Sequence, residues 1–171
     1  MSMAAPLQTI PVGVVVERCK AASQWIDFLW RPLSVFAGAP ETPPWTKLSG
    51  DGERATFFAG AAAIELHRTE TPNYRGNLVV EEPLLWVVLR PSDGEMPYVL
   101  LMVTADPAEG EAMTEAGNDL VETVPMPEAI QKTIADFVAK YHVEQTFTKR
   151  KRDRADPEAL GRRRLRDDEQ L

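Results

Sequence analysis

The residue types most able to do chemistry are scarce, since the chain has one cysteine and two histidines. Cys19 lies between Arg18 and Lys20. Two neighbouring cations favour the thiolate, which is the nucleophilic form of cysteine. Isolated cysteines are more often small, partly buried core residues. We therefore expect Cys19 to serve packing rather than catalysis.

The two histidines lie in different parts of the sequence. His67 alternates with Glu65 in a strand-like run, which favours a pair on a solvated strand face over a catalytic dyad. His142 is expected in the last turn of a predicted helix, where a positive charge interacts favourably with the helix dipole and a capping role explains the residue. Neither histidine has a second His or Cys at metal-ligand spacing. The sequence therefore predicts no metal site.

The motifs of common enzyme classes are also missing. No Gly-x-Ser-x-Gly elbow, Walker loop or Gly-x-Gly-x-x-Gly turn occurs. The acidic segment 106–122 lacks the spaced oxygen ligands of an EF-hand. We therefore predict no catalytic residues and no cofactor, and favour a protein that is not an enzyme.

Three residues form a candidate surface patch for a partner. Trp45 follows two prolines, and an exposed tryptophan beside prolines is typical of a binding surface. Tyr74 and Arg75 lie in a polar segment, 74–78, that is suited to an anion or a peptide carboxylate. The alternatives are a tryptophan that anchors a loop to the sheet, and ordinary turn chemistry.

Positioning these residues requires a sheet. The predicted strands are β-branched, apolar or alternating runs: 11–18, 30–36, 45–48, 54–59, 61–68, 74–80, 84–89 and 98–103. Pro32 places the second strand at an edge or a bulge. The last two strands, apolar throughout, are expected to form a hairpin buried on both faces.

The helical pattern comes late in the chain. Segment 106–119 is expected to be a loop or one weak helix. Ile130, Ile134, Phe137 and Tyr141 then recur at spacings of four, three and four, which predicts a helix packed on the sheet. This order predicts an α+β fold: an antiparallel sheet or partly closed barrel followed by a packed C-terminal helix. Pleckstrin-homology-like domains share the element order, but fold analogy carries no function.

Charge divides the chain into two parts. It has 19 basic and 26 acidic residues. Residues 149–171 hold nine of the basic and six of the acidic ones, so an acidic body ends in a basic segment. We expect a globular domain over 1–148 and a disordered or conditionally helical tail over 149–171.

The tail is the candidate partner-binding segment. Its basic residues are Lys149, Arg150, Lys151, Arg152, Arg154, Arg162, Arg163, Arg164 and Arg166. Such clusters suit phosphates, RNA or an acidic protein surface. Base-stacking aromatic residues are missing after Phe147, so an acidic protein is favoured over nucleic acid. A tail that only solubilises the protein is the alternative.

The expected location is the cytoplasm. One cysteine cannot form an intramolecular disulfide, the N-terminal residues lack a secretory pattern, and no uncharged run approaches the ~18 residues that span a bilayer. No membrane partner is predicted.

Four phrases resemble a known family: Trp30-Arg31-Pro32-Leu33, Tyr74-Arg75-Gly76-Asn77-Leu78, Trp86-Val87-Val88-Leu89-Arg90 and Lys149-Arg150-Lys151-Arg152-Asp153-Arg154. The chain resembles, over about residues 10–155, small bacterial proteins catalogued only as a domain of unknown function. That family is best represented in alphaproteobacteria, where its genes lie beside those for molybdenum-containing formate dehydrogenase. The resemblance implies an accessory or assembly role and brings no catalytic residues.

The main hypothesis is therefore a non-catalytic cytoplasmic accessory protein that binds an acidic partner through its tail. The partner implied by the resemblance is a component of formate dehydrogenase. The alternative is a small-molecule-binding or enzymatic β-barrel, whose interior would bring together Cys19, His67 and Arg75. RNA binding through the tail ranks third.

Overall fold

A computed structural model of the chain describes residues 4–143. Two antiparallel sheets and three helices make up this part. In chain order the elements are β1 (Gln8–Lys20), β2 (Phe28–Ala37), β3 (Thr46–Gly50), β4 (Arg54–Leu66), α1 (Thr71–Leu78), β5 (Leu84–Pro91), β6 (Tyr98–Thr104), α2 (Pro107–Glu115), β7 (Leu120–Pro125) and α3 (Glu128–Tyr141). The predicted boundary after residue 148 lies outside the described residues.

The first sheet has the strand order β2-β1-β4-β3. Val12, Val14 and Val16 are fully buried, so one face of β1 forms core. The register with β2 shifts between Val15 and Val16, next to the position of Pro32. Proline donates no ladder hydrogen bond, and β2 is at the end of the strand order. The prediction for Pro32 is confirmed.

β4 unites two predicted strands, 54–59 and 61–68, in one element. Its register with β1 shifts between Val14 and Val15, and Gly60 has a φ of 140° at this irregularity. A side chain is disfavoured at that φ, so glycine lets the strand continue through the bulge.

The second sheet has the order β6-β5-β7, and β5 and β6 form the predicted hairpin. β5 is buried through Leu85, Val87, Val88 and Leu89. The expectation that β6 is buried on both faces is wrong, because Val99 is 45% and Leu101 38% exposed. Within residues 4–143, β6 pairs with β5 alone, and these two side chains reach solvent.

The two sheets pack against each other with β4 beside β6 and β2 beside β7. Their ladders are separate, so the sheets are not closed into a barrel. Ile130, Ile134 and Phe137 of α3 belong to the same buried cluster as the sheet residues. The α+β class and the packed C-terminal helix are confirmed.

The predicted strand 74–80 is wrong, since this segment lies mostly in helix α1. Its buried side chains are Thr71, Tyr74 and Asn77, one every third residue. Hydrophobic periodicity misses this stripe because its members are polar or amphipathic and are held by hydrogen bonds. Segment 106–119 is the weak helix of the two alternatives, α2, whose N-cap Asp106 accepts a hydrogen bond from Ala108 N–H.

Candidate functional site

The first sheet separates residues that a catalytic barrel would bring together. In the β1–β4 ladder Gln8 pairs with Leu66 and Cys19 pairs with Arg54. Eleven residues of extended chain span about 35 Å. Cys19 and the neighbour of Leu66, His67, therefore lie at opposite ends of the sheet. They form no common site.

The end that carries Cys19 has a buried carboxylate. Glu17 is 6% exposed and lies on the same strand face as Cys19. Its Oε1 accepts hydrogen bonds from Cys19 Sγ at 3.0 Å and Arg31 Nε at 3.2 Å, and Arg54 Nε is 4.0 Å away. The thiol and the two guanidinium groups hold the pKa of Glu17 below its ordinary value, although burial acts in the opposite direction. Cys19 therefore helps to stabilise an ion-pair network.

A solvent-open depression of about 440 Å³ lies beside this network. Its lining comes from both hairpins of the first sheet: Cys19, Lys20, Ala21, Ala22, Glu53 and Arg54. No histidine lines it. Cys19 is therefore the only residue of the proposed catalytic set near this depression.

At the other end of the first sheet, where His67 lies, two basic residues connect helices α1 and α3. His142 Nδ1 is 3.1 Å from Thr71 Oγ1, and Arg75 Nη1 is 3.3 Å from His142 Nε2. His142 is the C-cap of α3, so these bonds hold the end of α3 against α1. His67 Nε2 lies 3.5 Å from Glu65 Oε2, and Glu65 is exposed, as expected for a solvated strand face.

The candidate patch of Trp45, Tyr74 and Arg75 is not one surface. Tyr74 is 2% exposed, and its hydroxyl accepts a hydrogen bond from His67 N–H at 3.0 Å. Burial raises the pKa of Tyr74 to about 12. Arg75 is exposed on α1. Trp45 packs its ring 5.8 Å from that of Trp30, as a tryptophan that anchors a loop would.

The segment Tyr74–Leu78 is better described as a structural clamp. Asn77, 4% exposed, donates from Nδ2 to the carbonyls of Leu84 at 2.7 Å and Ala105 at 3.0 Å. Its Oδ1 accepts from Leu84 N–H at 3.1 Å. One side chain thereby fixes α1 to the start of β5 and the end of β6. From the sequence this segment is a candidate binding surface, and in the structure it holds the helix against the sheet.

The most exposed apolar residues were not predicted from the sequence. We define the apolar patch as Trp25, Ile26, Leu29, Leu33 and Phe36, which are 91%, 52%, 57%, 39% and 36% exposed. These five are among twelve large exposed hydrophobic residues in the described part, yet they fall within twelve positions. Three of them lie on edge strand β2 and two on the loop before it, so they follow one edge of the first sheet. Exposed apolar residues grouped in this way are typical of interaction surfaces.

The loop before β2 holds Trp25 in a defined turn. Ala21 N–H donates to Asp27 O and closes the loop, and Trp25 N–H donates to Ser23 Oγ at 3.1 Å. The indole is thus held on an ordered backbone. The available sequence signal was an adjacent Trp-Ile pair outside any alternating run.

Charged side chains of both signs border the apolar patch. The Arg31 and Arg54 side chains are 60% and 71% exposed, and they share the single carboxylate of Glu17. Lys20, Asp27 and Glu53 are exposed at the same end of the first sheet. Arg31 and Arg54 are the groups beside the patch that can pair with the carboxylates of an acidic protein surface.

Other predicted features fall elsewhere. The basic tail residues from Lys149 to Arg166 lie outside the described residues. Within 4–143, no three His, Cys, Asp or Glu side chains are grouped as metal ligands. In the same range, no helix has the length and apolar character needed to cross a bilayer.

The fold is a two-sheet α+β domain, and its most exposed apolar residues lie on edge strand β2 and the loop before it. A family model described as "Protein of unknown function (DUF3305)" matches residues 11–151. The chain belongs to this family. No curated protein and no solved structure matches the chain.

Proposed function

We propose that this protein is a non-catalytic accessory protein that binds an acidic protein partner through the apolar patch. The observation that carries the proposal is Trp25, which is 91% exposed on an ordered loop. Tryptophan is the residue most enriched among those that dominate binding energy at interfaces. Leu29 and Leu33 extend the apolar area along β2.

The charge around the patch supports an acidic partner. Arg31 and Arg54 share the one carboxylate of Glu17, so these three groups together carry a net charge of about +1 beside Leu29. The whole chain has a formal net charge of −7, so this group of three differs in sign from the protein as a whole. Long-range attraction would therefore favour a partner with negative groups around an apolar centre.

The narrower proposal concerns the identity of the partner and the second contact. The resemblance described above supports assistance in the assembly or maturation of a molybdenum-containing formate dehydrogenase in the cytoplasm. The basic clusters 149–154 and 162–166 would add a second contact to the same partner. Two linked contacts raise the overall affinity above that of either one.

The alternative, a small-molecule-binding or enzymatic domain, has less support. The depression beside Cys19 is open, and its cysteine hydrogen-bonds to Glu17. Cys19 and His67 lie at opposite ends of the first sheet.

Affinity capture from cells that naturally make the protein tests the proposal. Four baits are compared: the full chain, a 1–148 truncation, Trp25→Ser and Val79→Ser. Val79 is 76% exposed on the opposite end and is the matched control. We expect a formate dehydrogenase subunit with the full chain and Val79→Ser, less with the truncation and little with Trp25→Ser.

Each contrary result is assigned to one part of the proposal. Equal recovery by Trp25→Ser and the full chain would exclude the apolar patch. Equal recovery by the truncation would exclude the tail. A stable partner other than formate dehydrogenase, lost in Trp25→Ser, would refute the narrower proposal only.

A further inference from the structure

Arg18 occupies an unusual position at the same end of the first sheet. It follows the buried Val16 on the core-facing side of β1, and its ladder partners are Trp30 on β2 and Ala55 on β4. Its guanidinium carbon lies 4.4 Å from the ring centre of Phe28, 5.8 Å from that of Trp30 and 5.2 Å from that of Phe57. We call Arg18 and these three rings the arginine slot.

The rings come from both neighbouring strands. Phe28 and Trp30 belong to β2, and Phe57 belongs to β4, so aromatic surface flanks Arg18 on either side of β1. Cation–π attraction stabilises this packing. It contributes no hydrogen bond to the N–H groups of the guanidinium, which lie in the plane of the group.

Arg18 has no carboxylate partner within residues 4–143, and its Nε is buried without a hydrogen bond. Other arginines of the two sheets are paired. Arg31 and Arg54 approach Glu17, and Arg90 makes two bonds of 3.1 Å to Asp119. An arginine that is partly removed from water usually has an anionic partner. The slot therefore contains a cation whose anion is missing from the described chain.

We infer that the arginine slot binds a carboxylate side chain of the partner. Aromatic rings lie against the guanidinium and its Nε is buried, so the two terminal nitrogens are the donors left for a partner, and a planar carboxylate matches these two in-plane donors. Lys20, two residues further on the same face, adds positive charge. The inference rests on the proposed function, because it adds a specific acidic contact at the end of the sheet that carries the Trp25 loop, on the face opposite Leu29 and Arg31.

The partner segment defined by this chemistry has an acidic residue next to a bulky apolar one. Phe28 links the two parts of the surface: it contributes a ring to the slot and begins β2 directly after the loop that carries Trp25 and Ile26. A carboxylate at Arg18 would thus place neighbouring apolar side chains near that loop.

Nuclear magnetic resonance of the ¹⁵N-labelled full chain tests the inference. The probes are acetyl-Leu-Glu-Leu-amide, its neutral analogue acetyl-Leu-Gln-Leu-amide, and inorganic phosphate. The readouts are the Nε–H resonance of Arg18 and the indole N–H resonance of Trp30. Arg18→Lys retains the charge and loses the planar fork, and Arg68→Lys, at an exposed arginine outside the slot, is the matched control.

We expect saturable shifts with the glutamate peptide, and affinity at least about tenfold lower for the glutamine peptide and for Arg18→Lys. Arg68→Lys should bind like the unmodified chain. Equal titration by both peptides, unchanged binding by Arg18→Lys, or no saturation below about 10 mM would overturn the inference. Tighter binding of phosphate than of the glutamate peptide would overturn its assignment to a carboxylate.

The result can be separated from that of the proposed function. A full chain that captures its protein partner but does not respond to the glutamate peptide refutes the slot alone. A chain that responds to the peptide but captures no partner refutes the proposed function.

Discussion

Replacing Asn77 by alanine should destabilise the domain severely, because one side chain holds three backbone groups. The substitution removes the bonds to Leu84 N–H, Leu84 C=O and Ala105 C=O. At about 1 kcal/mol net for each bond, and somewhat more for the buried Ala105 carbonyl, the expected loss is about 3–4 kcal/mol. That is a large fraction of the ~5–15 kcal/mol by which domains are stable.

Urea unfolding followed by tryptophan fluorescence measures this loss. With a denaturant slope of about 2 kcal/mol per molar, the midpoint should fall by about 1.5–2 M. Asn73→Ala is the matched control on the same helix. Its amide bonds only to the side chains of Glu70 and Asp106, so we expect a loss of at most about 1 kcal/mol.

A second substitution separates hydrogen bonding from packing. Asn77→Asp keeps the volume but directs a carboxylate oxygen at two carbonyls, so it should destabilise at least as much as Asn77→Ala. If Asn77→Ala shifts the midpoint no more than Asn73→Ala, or if Asn77→Asp is tolerated, the clamp interpretation is wrong.

Three further changes test other parts of the domain. Glu17→Gln should flatten the pH dependence of stability at acid pH. Because the pKa of Glu17 is lowered in the fold, ionised Glu17 stabilises the fold above its ordinary pKa of about 4.5, and this effect is lost as pH falls through the folded pKa. Thermal melts from pH 6 to about pH 3 check this, and parallel curves for the two proteins would contradict it. Tyr74→Phe should lower the free energy of unfolding by about 1 kcal/mol. In an absorbance titration of the three tyrosines, the step near pH 12 should disappear. Persistence of that step would show that another tyrosine produces it. Gly110→Ala should lower the free energy of unfolding by about 1–3 kcal/mol, because the added Cβ would overlap the Trp86 ring. Gly76→Ala, whose Cβ would meet open space on another helix, should be neutral or stabilising by up to about 1 kcal/mol. Calorimetry measures both variants, and similar melting temperatures would refute the overlap.

The predictable part of the fold is the part built from apolar repetition. The valines of β1 and the stripe Ile130–Ile134–Phe137 bury side chains at the spacing of their element, and the β5–β6 hairpin consists of two apolar runs on either side of a turn, so the local sequence identifies all three. Helix α1 was missed because its buried stripe is Thr71, Tyr74 and Asn77. These side chains are held by specific hydrogen-bond partners far along the chain, and a local pattern contains no information about those partners.

The candidate site was less predictable for a related reason. An exposed residue leaves no periodic signal, because exposure depends on which neighbours fail to cover it. The sequence therefore does not distinguish Trp25 from a partly buried tryptophan such as Trp86, whose ring packs against Gly110 of α2. Glu17 was likewise hidden, since its burial depends on Arg31 from β2 and Arg54 from β4.

The two ends of the first sheet differ in how completely their polar groups are satisfied. At the α1 and α3 end, Asn77, Tyr74 and His142 each have two or more hydrogen-bond partners.

At the other end, Arg18 has a buried Nε without a partner and Trp25 is almost fully exposed. Nearby, Trp45 adopts a φ of 66°, which is uncommon and strained for a bulky residue. Residues with an unfavourable backbone conformation, an unsatisfied polar group or an exposed apolar side chain tend to be tolerated where they serve function. Their concentration near one end, while Asn77, Tyr74 and His142 are hydrogen-bonded at the other, supports the proposal that the apolar patch and the arginine slot bind a partner.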